Sequence, residues 1–144
     1  MHRILVPVDE DEQRAERVAA AVNDVPCADE AVEVVLFNVD EGLDVPADGE
    51  GGVVEPDELF DETNYPPAVD RVEGALDDAG IAVSKRRTFG HPAEEILDVA
   101  DAIDADRILM SGQPRSPAGK ALLGSVTQSV VLDSTIPVTV VMSD

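Results

Sequence analysis

Strand-like and helix-like segments alternate along the whole chain, and that alternation limits the folds open to it. Five short runs rich in Val, Ile and Leu occupy residues 3–8, 32–39, 81–89, 107–112 and 137–142. Between them the apolar residues recur at helical spacing. Residues 11–24 place Ala15, Val18, Ala19 and Val22 on one face. After Pro66-Pro67, which suit a helix start, Val69, Val72 and Leu76 do the same as far as Gly80, a natural stop. Ile96, Leu97, Ala100 and Ile103 mark a helix from Ala93, and a last one occupies about 125–134. Strands that alternate with helices pair in parallel through right-handed crossovers, with helices on both faces. The expectation is an α/β fold, a doubly wound five-stranded parallel sheet in a single domain spanning 1–144. Such sheets bind ligands beyond the carboxyl ends of their strands, where the strand order reverses. If strands one and four flank that point, Asp9 and Gly112 face each other across one crevice.

Charge narrows the partners. Thirty-one acids against ten bases leave a net charge of −21, which opposes unaided binding to nucleic acid or to an anionic membrane. The regular apolar segments argue that this acidic chain folds, and an acid-coated folded domain suits a salt-rich cytoplasm such as that of a halophilic archaeon. Residues 1–107 hold 29 acids and 8 bases, whereas 108–144 hold only Asp133 and Asp144 against Arg115 and Lys120. Both an anion site and a buried terminal strand with its helix would produce that break. Residues 40–63, acidic and rich in Gly and Pro, read as a mobile loop. No apolar run reaches the roughly 18 residues of a membrane span. MHRILVPVDE has no signal-peptide pattern. Cys27 stands alone, without a disulfide framework or a cysteine metal cluster. A cytoplasmic location is expected.

The stretch MSGQPRSPAGKALLGSVTQSVV, residues 110–131, carries the candidate chemistry. Ser125-x-x-Gln128 has the spacing of a capping box, which would fix a helix start whose free N–H groups attract an anion. Gly124 allows close approach, and Ser125 and Thr127 offer hydroxyls. The same box is equally able to cap a helix and do nothing more. Gly112 ends a strand as a strand-to-phosphate turn requires, and Arg115 and Lys120 are either counter-charges or solvated side chains. Gly119-Lys120 is not a Walker motif, because Pro114 stands where its first glycine belongs and Ala121 replaces the Mg²⁺-binding hydroxyl. Asp9 suits either a ribose hydroxyl or a helix cap. His2 and His91 read as surface or turn residues, and Lys85-Arg86-Arg87 as a balance for neighbouring acids. Nothing has the pattern of a Ser/His/Asp triad or a metal site.

Together RILVPVDE, LFNVDEG, GHPAEEIL, ILMSG and GSVTQSVV followed by IPVTVV resemble the universal stress protein (UspA) family, over nearly the whole chain, with 40–63 contributing least. The resemblance implies a sheet of order 3-2-1-4-5 and a homodimer, often formed through the last strand. It implies a regulatory protein of the stress response that binds ATP or a related adenine nucleotide, with Mg²⁺ where ATP is the ligand. Catalysis would be absent or limited to slow hydrolysis, and no metal ligand set follows from it. Carried onto this sequence, Pro7, Val8 and Asp9 with the Val39 backbone would hold the adenosine. Met110, Gly112, Gly124, Ser125, Val126 and Thr127 would line the phosphate side, with Arg115 and Lys120 as counter-charges. The chain departs from the family's glycine loop where Arg115 replaces the second glycine, and the loop is one residue shorter. Those departures favour the alternative, a nucleotide-free dimeric module that meets other proteins.

Overall fold

A computed structural model describes residues 1–40, 64–112 and 124–142. The elements are β1 (His2–Pro7), α1 (Glu12–Asn23), α2 (Ala28–Ala31), β2 (Val32–Asp40), α3 (Pro67–Asp78), β3 (Ala82–Phe89), α4 (Pro92–Ala102), β4 (Arg107–Gly112), α5 (Ser125–Asp133) and β5 (Val138–Met142). All five strands run parallel in the order β3-β2-β1-β4-β5. Each expected strand and helix is present. The four-residue α2, too short to show a period, was not expected, and β1 ends one residue earlier than the apolar run, at Pro7. Asp40, read as the first residue of the acidic loop, is the last of β2. The rest of that loop, 41–63, lies outside the described residues.

Strand alternation divides the core between the two sheet faces. Ile4 and Val6 face a cluster with Ala15, Val18 and Val22 of α1 and Val69, Val72 and Leu76 of α3. Leu5 faces the other way, with Phe37, Ile96 and Ala100 of α4, Ile108 and Val130 of α5. A strand covered on both faces must be apolar at every position, which explains the unbroken run ILV in β1. Burying each such side chain contributes about 1.5–3 kcal/mol. At the edge, β3 alternates between exposed and half-buried positions and carries the basic run.

One residue decides where the sheet opens. Val8 N–H donates to Phe37 C=O at 2.9 Å, so even-numbered residues of β1 turn their backbone groups toward β2 and odd-numbered ones toward β4. Register with β2 persists to Pro7–Phe37, but register with β4 ends at Leu5–Ile108. Pro7 stands at the next β4-facing position and has no N–H to donate. The two strands part there, at the point where the chain order reverses.

Candidate functional site

The parting of β1 and β4 opens a cleft of about 590 Å³ beyond their carboxyl ends. Of the residues expected at the site, Pro7, Val8, Asp9, Val39, Met110, Gly124, Ser125, Val126 and Thr127 all line it. Gly112 is buried and does not line it. Arg115 and Lys120 lie outside the described residues. Sequence reasoning missed Arg14, Asn38, Asp40 and Arg87, which also line the cleft. Phe37, Ile96 and Met110 supply apolar wall.

The β1 lip is acidic and internally tied. Asp9 Oδ1 accepts the Asp11 N–H at 2.9 Å, and Asp9 Oδ2 lies 3.0 Å from Arg14 Nη2. The helix-cap alternative considered for Asp9 falls instead to Asp11, whose Oδ1 accepts the Arg14 N–H at 3.0 Å. That backbone bond, helped by the Arg14 charge, holds the Asp11 carboxyl below the ordinary aspartate range. Arg14 Nε is buried without a hydrogen-bond partner, 3.6 Å from Asp11 Oδ2. Arg14 therefore offsets part of the lip's charge, one cation shared between Asp9 and Asp11, while Glu10 adds a further acid to it and the lip stays acidic.

Val39 presents backbone to the cleft. Asp40 C=O accepts the Gly90 N–H at 3.0 Å, so even-numbered residues of β2 face β3 and odd-numbered ones face β1. Beyond the end of β1, Val39 turns both its N–H and its C=O toward the vacant lane. Next to it, Arg87 Nε donates to Asn38 Oδ1 at 2.9 Å, and Asn38 Nδ2 donates to the Val8 carbonyl at 2.9 Å. The basic run was read as charge balance. Lys85 does pair with Glu73 at 3.3 Å and Arg87 with Asp40 at 3.2 Å, but Arg87 also lines the site. Its signal was the register Asn38–Arg87 across two strands, which no local spacing displays.

On the opposite wall α5 begins. The capping box is not formed: the cap residue is Gly124, at φ 93° and ψ 148°, with no side-chain cap bond. Ser125 is thus the first helical residue, and the Gln128 N–H goes to the Gly124 carbonyl at 2.9 Å. A positive φ is open to glycine at little cost, so Gly124 takes the cap that the Ser-x-x-Gln spacing assigned to Ser125. The N–H groups of Ser125, Val126 and Thr127 then have no acceptor within the helix. Thr127 is not the free donor expected, because its hydroxyl hydrogen is given to the Ser111 carbonyl at 2.8 Å. That bond pins the start of α5 to β4.

The cleft therefore offers an apolar wall, a backbone donor–acceptor pair at Val39 and uncapped N–H groups at a helix start. An anion fits the last of these. No histidine or cysteine lines the cleft among the described residues. Nor do three or more His, Cys, Asp or Glu among them gather to hold a metal ion.

The comparisons with known proteins agree with this architecture. The model of the Universal stress protein family matches residues 1–142. The universal stress protein MJ0531 of Methanocaldococcus jannaschii is 27% identical over 140 residues, covering 96% of this chain and 81% of the relative. A universal stress protein of Mycolicibacterium smegmatis is 40% identical over 68 residues, 46% of this chain, and the match spans about half (52%) of that relative's length. The solved structure of MJ0577, from the same Methanocaldococcus, superposes with a TM-score of 0.75 at 28% identity, covering 99% of this chain and 96% of that one. The Archaeoglobus fulgidus universal stress protein in complex with dAMP shares the fold, with a TM-score of 0.68, 20% identity and 98% of both chains covered.

Proposed function

The chain belongs to the universal stress protein family, and from that premise we propose that it is a regulatory protein of the stress response that binds ATP in the β1–β4 cleft. The observation that carries the reading is the meeting, in one cleft, of the Val39 backbone pair and the uncapped start of α5. An adenine edge presents an acceptor nitrogen beside an amino donor, which complements an N–H beside a C=O. The apolar wall of Phe37, Ile96 and Met110 suits a flat base, and the α5 N–H groups suit phosphate oxygens. Asp9, which lines the same cleft, would receive a ribose hydroxyl. A relative of the same fold is known in complex with dAMP, which supports an adenine ligand. Mg²⁺ would enter with the phosphates of ATP, as it does where few protein carboxylates hold it.

The protein acts by binding, with at most slow hydrolysis, and does so in the cytoplasm as a homodimer joined along the β5 edge. A nucleotide-free interaction module is the second reading, favoured by the acidic lip of Asp9, Glu10, Asp11 and Asp40, which opposes polyphosphate.

Calorimetric titration with ATP and Mg²⁺ tests the site through Ser125→Pro. Proline is well tolerated at the first helical position, and Gly124 at ψ 148° already has the ψ a following proline requires. The variant removes one N–H without breaking the helix. Loss of one charge-assisted bond, about 1.5–3 kcal/mol, lowers ATP affinity roughly ten- to hundredfold. Unchanged affinity removes α5 from the site. Gly124→Val is a poorer probe, since a side chain at φ 93° is strained even though a Cβ there meets open space.

A further inference from the structure

In a regular parallel ladder, the rung after Val8 N–H to Phe37 C=O is Val39 N–H to Val8 C=O. Here β1–β2 register stops at Pro7–Phe37, and the Val8 carbonyl accepts Asn38 Nδ2 at 2.9 Å. Asn38 is only 4% exposed, so its amide must find partners inside the protein. Its Oδ1 accepts Arg87 Nε at 2.9 Å. A guanidinium only donates, so Arg87 fixes which end of the amide is carbonyl and turns Nδ2 toward Val8. Arg87 is itself braced on Asp40 Oδ2 at 3.2 Å, with 12% of its side chain exposed.

We infer that Asn38, oriented by Arg87, is a positioning residue of the site: it ends the ladder one rung early and reserves the Val39 N–H for the ligand's base. The role rests on the nucleotide reading of the cleft, but the rung itself is present or absent without ligand. Asn38 takes up the carbonyl that would otherwise consume the Val39 N–H. The order of events along the chain is therefore Arg87 to Asn38 to Val8, with the consequence at Val39.

Hydrogen exchange on the ligand-free full chain reads the rung. The Phe37 amide, held within the ladder, is the internal reference. In the wild type the Val39 amide exchanges at least about tenfold faster than that of Phe37. Asn38→Asp keeps an acceptor for Arg87 and removes the Nδ2 donor, so the Val8 carbonyl passes to the Val39 N–H. Val39 exchange then slows by about tenfold while Phe37 is unchanged, and adenosine affinity falls by roughly five- to tenfold. A Val39 amide as protected as Phe37 in the wild type overturns the inference, whether or not the variant folds. So does an Asn38→Asp protein with unaltered Val39 exchange. A wild type that binds no adenosine overturns the nucleotide reading, and the exchange ratio then decides the rung by itself.

Discussion

Asp11 closes the first turn of α1 with a single carboxylate, and its ionisation is part of the fold. Because its pKa is lowered in the folded chain, its contribution is complete above the unfolded value of about 3.9 and is lost as pH falls through the folded value. Asp11→Ala removes the cap and costs about 1 kcal/mol at neutral pH. Asp11→Asn retains the cap, and its stability difference from the wild type shrinks as pH falls from about 6 to 3. Denaturant unfolding at both pH values checks the pair, and a difference that does not change with pH contradicts the role. At this scale the site was half legible. Pro7, Val8 and Asp9 are adjacent in the chain, and their place at a strand end followed from the apolar run before them. Asn38 and Arg87 lie 49 positions apart and meet only through the β2–β3 register. Neither residue type is distinctive alone, so no pattern in the sequence joined them.

The elements were the most readable level, because helical and strand periods repeat within each segment and the core faces are set by the same residues that reveal them. The short α2 and the start of α5 were the exceptions. Ser-x-x-Gln carries the spacing of a box whether Ser is the cap or the first helical residue, and the backbone angle of Gly124 decided it. That angle leaves Ser125 inside the helix and the first-turn N–H groups turned toward the cleft. β5 supports a prediction of its own. The Ile108 N–H goes to the Pro137 carbonyl at 3.0 Å, so odd-numbered residues of β5 serve β4 and Val140 turns its N–H outward. Val140→Pro removes an edge donor without touching the β4 ladder. If two copies pair along this edge, light scattering gives a dimer for the wild type and a monomer for Val140→Pro. A dimer in both places the contact elsewhere.

Over the whole molecule, a net charge of −21 acts on both solubility and partners. Such self-repulsion weakens a compact state and is screened within about 10 Å at 0.1 M salt; the light-scattering masses are therefore compared in concentrated KCl. Strand order was legible only through the resemblance, since alternation alone fixes parallel pairing and leaves several orders open. The order β3-β2-β1-β4-β5 is what converts a list of strand ends into one cleft, with Val39 on one wall and α5 on the other. The central claim is that an adenine nucleotide occupies that cleft. Titration of isotopically labelled protein with ATP and Mg²⁺, followed by amide chemical shifts, tests it most directly. The account predicts saturable shifts at Val8, Asp9, Val39, Ser125 and Val126, the backbone of both walls. No shift at those amides in millimolar ATP would contradict it.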